Sequence, residues 1–193
     1  MSRPGNHRRY AHAAFPPVVA CCAAPLSPST YAFASIAHFT LSRFAEALPG
    51  ARQALELQPD YLPALWVRGL ALSGLGRHDE ALASLERVAT LSRAPFYVGV
   101  LGLGYARAGR TDDAKRLLQE LEDRGVRGEF VPIVTLLPIH VGLGDIPAVR
   151  QALVAAQAES TPAFTLRACN GRFLEDLRSD PEIDRLLFEF YGW

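Results

Sequence analysis

The stretch "GLGRHDEALASLE", Gly74–Glu86, supports two readings. Closely spaced glycines followed by Arg77, His78, Asp79 and Glu80 have the look of a phosphate-binding or catalytic loop. The same residues also describe a bend between two helices. Gly76 suits the left-handed residue that ends a helix, a conformation glycine adopts without a Cβ penalty. Asp79 and Glu80 then fall in the first turn of the next helix, where carboxylates complement the dipole. Ala81, Leu82 and Leu85 follow as contacts toward the preceding helix.

The rest of the chain decides between them. "SRFAEA" at 42–47, "GRHDEA" at 76–81 and "GRTDDA" at 109–114 are variants of one phrase, and their last alanines, Ala47, Ala81 and Ala114, stand 34 and 33 residues apart. A weaker copy, "GDIPAV", ends at Val149, another 35 residues on. An apolar helical stretch precedes each phrase and an amphipathic one follows, as in Pro63–Leu75 with Asp79–Leu91 and Pro95–Ala108 with Thr111–Leu121. A recurring phrase at this period signals a repeat array in which each unit is one helix pair. The expected fold class is all-α.

Composition agrees. Alanine and leucine are frequent and strand-type clusters scarce. Lys plus Arg and Asp plus Glu are 20 each, so the formal net charge is zero and no direct nucleic-acid partner is implied. The longest uncharged runs fall short of the ~20 apolar residues of a membrane span. Cys21, Cys22 and Cys169 form neither a disulfide framework nor a zinc spacing, which fits a cytoplasmic setting. Residues 1–28 read as a disordered leader or residual N-terminal segment. The rival is an export signal with a lipid-anchored Cys21, opposed by Pro16 and Pro17, which break a weak apolar stretch.

The repeated positions resemble the tetratricopeptide repeat, whose signature runs aromatic-x2-Leu-Gly-x2-Tyr, then Ala-x3-Phe, then Pro. The third unit matches best, with Val98, Leu101, Gly102, Tyr105, Ala114 and Leu118; the second carries Leu65, Gly69, Leu72, Ala81, Leu85 and Val88. The first supplies Tyr31, Ala47, Ala51, Ala54 and Pro59, but has Ser35 and His38 where Gly and Tyr are expected. In the fourth, Val149, Leu153 and Ala156 fit while Pro138 interrupts the first helix, predicting a kink. The resemblance implies a right-handed superhelix over residues 29–193, with units at about 29–61, 62–94, 95–128 and 129–160 and a cap over 173–191. "FLEDLRSDPEIDRLL", Phe173–Leu187, is similar to the ending that follows such repeats in bacterial multidomain regulators. There Ser179 or Asp180 caps the last helix, Glu182 is placed for a capping box, and Ile183, Leu186, Leu187 and Phe190 cover the last pair.

Residues that suggest chemistry lose ground to this pattern. The counterparts of His78 are Phe44, Thr111 and Ile146, so the position does not demand histidine. "GLG" at 74–76 and "GVLGLG" at 99–104 lack a preceding strand and the Lys-Ser/Thr of a P-loop, and Gly69 and Gly102 read as close helix approaches. The histidines at 7, 12, 38, 78 and 140 show no metal-ligand spacing. A small enzyme using His78 and Asp79 is the weaker alternative, and no catalytic residue, cofactor or metal is expected.

The resemblance further implies that the first helix of each pair lines a concave groove. Carried over to this chain, its partner-binding positions are Phe33, Ile36, Phe39, Trp66, Leu70, Phe96, Leu103 and Arg107. They are almost wholly apolar, unlike the Lys, Arg and Asn that clamp a carboxylate in chaperone-binding members. The expected function is therefore a protein-interaction scaffold, a module of a bacterial regulatory protein. Its groove would take a protein or peptide segment with an apolar face, or a missing domain of the same polypeptide. The alternatives are an exported or lipid-anchored repeat protein of the cell envelope, and side chains that are buried between neighbouring helices.

Overall fold

A computed structural model describes residues 27–159, 161 and 171–191. Among them the regular structure is helical throughout, with no strand. Helix α1 (Pro28–Thr40) pairs with α2 (Phe44–Leu57), α3 (Leu62–Gly74) with α4 (His78–Leu91), and α5 (Pro95–Arg107) with α6 (Thr111–Val126). Then come a 3-10 turn at Ile133–Thr135, α7 (Leu137–Leu143), α8 (Ile146–Ala158), a 3-10 segment at Gly171–Leu177, and α9 (Pro181–Tyr191). The first helix of each of the first three pairs is 13 residues long with proline at its first or second position, where the missing N–H leaves no helical bond unmade.

The pairs are made by one turn used four times. Ser42, Gly76, Gly109 and Gly144 all have positive φ, between 60° and 77°. In each case the next residue's N–H returns to a carbonyl of the preceding helix: Arg43 to His38, Arg77 to Leu72, Arg110 to Tyr105 and Asp145 to His140, at 2.9–3.1 Å. This bond satisfies a carbonyl that the helix end would otherwise leave open. "GLGRHDEA" is thus a helix–turn–helix corner, with Gly76 reversing the chain and α4 starting at His78.

Successive pairs pack through both helices. α1 lies against α3, α3 against α5 and α5 against α7, while α2 also meets α3 and α4 meets α5. The absent side chain of Gly69 allows close approach within its pair, of α3 to α4, and that of Gly102 allows it between pairs, of α5 to α7, both as expected. A Cβ on Gly69 would stand 2.5 Å from Leu85 Cδ2, and one on Gly102 2.6 Å from Ile139 Cγ1. Ser35, the first unit's departure, is accommodated by exchange of volume. It is buried, its hydroxyl donates to the Tyr31 carbonyl at 3.1 Å, and the facing residue of α2 is Gly50, whose Cβ would meet Ser35 Oγ at 2.6 Å. Ala51 stands where the second unit has Leu85.

The fourth unit corrects one expectation. Pro138 does not kink a continuous helix; it sits in the first turn of the short α7, and the chain before it folds as the separate 3-10 turn. Breaking the helix removes the clash and the unmade bond that an internal proline imposes, about 3 kcal/mol. The last helix also differs in detail. Asp180 is its cap, its Oδ1 accepting from the N–H groups of Glu182 at 3.1 Å and Ile183 at 3.0 Å. That leaves Glu182 one position short of a capping box, and it pairs with Arg150 of α8 instead, at 3.1 Å. Ile183, Leu186 and Leu187 are buried, and α9 packs on α8. Residues 1–26, with Cys21, Cys22 and any export signal, lie outside the described residues, as does Cys169.

Candidate functional site

The face formed by the first helices carries a continuous line of rings. Phe39 of α1 lies 6.3 Å from Trp66 of α3, and Trp66 lies 5.4 Å from Phe96 of α5, centroid to centroid. Phe44, at the start of α2, extends the line with its ring 5.7 Å from Phe39. Tilted and edge-on arrangements of this kind suit the quadrupoles of neighbouring rings.

The eight sequence-derived groove residues divide by burial. Phe39, Leu70 and Leu103 are completely buried, and Trp66 and Ile36 nearly so; all five belong to the main core. Phe96 and Arg107 are half-buried at its margin. Phe33 stands apart, 67% exposed. The face is covered because each first helix packs against the next, and because a later segment of the chain reaches back to it.

That segment is Gly171–Leu177, which contacts both α1 and α7. Phe173 and Leu174 are buried in the main core. The Phe173 ring stacks on Phe44, with centroids 6.0 Å apart and planes at 20°. The Arg107 guanidinium also lies 4.2 Å from the Phe173 centroid, a cation–π contact. Burial pushes the Arg107 pKa below the usual arginine value, with the Asp176 carboxylate opposing the shift. An arginine nonetheless keeps its charge at any ordinary pH.

Phe44, Phe173 and Leu174 were not among the residues singled out for this face. Phe44 left a signal: it is the aromatic member of a position that elsewhere holds His78, Thr111 and Ile146. Gly74 left another. A Cβ there would stand 2.6 Å from the Phe44 ring, so the first glycine of "GLG" seats an aromatic side chain from the preceding unit.

The charged residues of the opening stretch are placed as follows. Arg77 binds Glu80 through both carboxylate oxygens at 2.7 Å. The hydrogen bond from Arg77 holds the Glu80 carboxyl below its usual range. His78 is half-buried at the start of α4, with Asp79 exposed beside it. His38 Nδ1 lies 3.3 Å from Glu46 Oε2, and His140 Nδ1 lies 3.9 Å from Asp145 Oδ2. Burial lowers the His140 pKa, opposed by Asp145 and Glu122. Among the described residues no three His, Cys, Asp or Glu side chains gather as a metal site would require, and no helix is long and apolar enough to cross a membrane. No protein-family model and no curated protein matches this chain.

Proposed function

We propose that this chain is a tetratricopeptide-like interaction scaffold, a module of a bacterial regulatory protein whose work is to present a binding face rather than to make or break a bond. The first three helix pairs, at a period of 33–34 residues, and the four equivalent turns support the repeat assignment. The similarity of Phe173–Leu187 to the ending seen in regulators supports the setting.

One observation carries the functional reading. The face of the first helices already holds an apolar segment, with Phe173 in contact with both Phe44 and Arg107 and Leu174 buried beside it. A partner would present the same chemistry, an aromatic residue followed by an aliphatic one, and would take the place of Gly171–Leu177. Aromatic anchors in desolvated pockets supply most of the binding energy at such surfaces.

The test uses the full chain with Phe173→Leu, which loosens the segment from the face while keeping an apolar side chain in the core. A fluorescent peptide of residues 171–187 should bind this variant saturably and the unaltered protein far more weakly. Failure of the variant to bind the peptide, with its helicity intact, would mean that the face serves internal packing alone.

A further inference from the structure

Between α2 and α4, above α3, lies a cleft of about 500 Å³. Its apolar lining comes from Leu48, Leu55 and Leu72, and its charged lining includes Arg52, Arg68 and Arg77. Because the array repeats, the cleft can be compared with the corresponding place one unit later, between α4 and α6 above α5.

There the space holds Tyr105. Its hydroxyl donates to Glu86 Oε1 at 2.9 Å, and the Arg110 guanidinium lies 4.3 Å from the centre of its ring. Beneath it Leu82, the counterpart of Leu48, is buried. In the earlier interface Leu72 replaces Tyr105 and Arg52 replaces Glu86. The ring is missing, and the carboxylate that would bind its hydroxyl has become a guanidinium. Leu48 is accordingly only half-buried. Arg68, where the later unit has the buried Leu101, adds a cation that the Tyr105 site lacks.

The charges in the cleft do not balance. Glu80 is held by Arg77 through both oxygens, and Glu56 lies 3.7 Å from Arg52. Arg68 makes no hydrogen bond or close ion pair among the described residues, and its charge acts on the Glu80 carboxylate alongside that of Arg77. Three guanidinium groups thus face two carboxylates around an apolar floor. Planar guanidinium groups suit a carboxylate and also stack on rings.

We propose that this cleft binds a small aromatic carboxylic acid. Its ring would lie on Leu48, Leu55 and Leu72 beneath Arg77, and its carboxylate would lie against Arg52 and Arg68. The ligand would supply in trans the ring that Tyr105 supplies in the next unit, with the charge inverted to match Arg52. This assignment goes beyond the scaffold reading and does not depend on it, since Phe44, Phe173 and Arg107 are not among the residues that line the cleft.

The probe is 4-hydroxyphenylacetate, with its amide as the uncharged control, and the readout is the methyl NMR spectrum of the full chain. The acid should shift the Leu48, Leu55 and Leu72 methyl signals saturably, with a Kd of about 0.1–1 mM for so small a ligand. The amide should bind at least tenfold more weakly. Leu72→Tyr with Arg52→Glu transplants the later unit's own pair and should abolish the shifts while the protein stays folded. Arg68→Gln, a change at a half-buried position outside the core, should weaken the acid about tenfold and leave the amide unchanged. Equal binding of acid and amide, insensitivity to Arg68→Gln, or no shift at these leucines would each overturn the proposal.

Discussion

The guanidinium of Arg107, at the end of α5, and the ring of Phe173, in the 3-10 segment after α8, lie 4.2 Å apart and pin the segment to the first-helix face. Deleting a buried phenylalanine side chain costs about 3–5 kcal/mol, so Phe173→Ala should lower the urea midpoint sharply. A double-mutant cycle of Phe173→Leu with Arg107→Gln should give a coupling of about 0.5–2 kcal/mol. A coupling of zero would reduce the contact to coincidence.

Gly99 provides the strictest test of the packing between the third and fourth units. A Cβ there would stand 1.9 Å from the Thr135 carbonyl oxygen, which is backbone and cannot rotate away. Gly99→Ala should cost about 1–3 kcal/mol. For a chain of this size each kcal/mol lowers Tm by about 2–4 °C. Gly102→Arg, which must displace Ile139, should be worse. Unchanged melting of Gly99→Ala would place α5 further from the 3-10 turn than described, and unchanged melting of Gly102→Arg would place it further from α7.

Leu70→Glu and Leu103→Glu would probe folding rather than recognition. Both leucines are completely buried. Losing their packing and burying an unpaired carboxylate should cost roughly 3–5 kcal/mol each, comparable in sum with the whole stability of a domain. The double variant should lose its helical circular dichroism. Phe33→Glu, on the exposed side of α1, should change stability by less than about 0.5 kcal/mol. A folded double variant would mean that these positions face solvent.

His140 should make stability fall on mild acidification. Its pKa is depressed by burial, so the folded chain holds it neutral while the unfolded chain protonates it near the ordinary value of about 6.5. The stabilisation is complete above that value and is lost as pH falls through the depressed folded pKa. The urea midpoint should therefore drop between pH 7.5 and pH 5.5. His140→Leu, which installs the residue type of the second unit's Leu72, should flatten the drop. An unchanged slope in the variant would assign the effect to other groups.

What was legible in the sequence was what is decided locally. Gly76 and Gly109 mark their turns because a left-handed backbone selects glycine within a few residues, and the four corners inherit one geometry from one phrase. Ser42 shows that the turn persists where glycine is replaced. Gly69 and Gly102 were readable as close approaches, though not which side chains would meet them. Pro138 signalled an interruption, yet the choice between bend and break depends on the 3-10 turn packing against α5 and α8.

The candidate site was less legible because burial is settled at a distance. The positions Phe39, Leu70 and Leu103 follow helical periodicity, which identifies a face but not what lies over it. Phe173 reads as part of a terminal cap when only its neighbours in sequence are considered. Its stacking on Phe44 joins residues from opposite extremes of the described chain, and no period or local motif encodes that meeting. The cleft beside Leu72 was hidden for another reason: it becomes visible only when the third unit shows where Tyr105 puts its ring.

The contact of Gly171–Leu177 with α1 changes the topology of stability. A linear stack of repeats gains free energy one neighbour at a time and can begin folding anywhere along its length. Here the 3-10 segment bridges α1 and α7, so the array is closed across its own face. Closing a loop this long adds only slowly growing entropy, about 0.6 kcal/mol per doubling, but it raises the contact order and slows folding. During synthesis α1 would meet this neighbour only after every intervening unit had emerged. Deleting or inserting a unit would therefore shift the reach of the segment as well as the length of the stack, leaving this array with a fixed number of units.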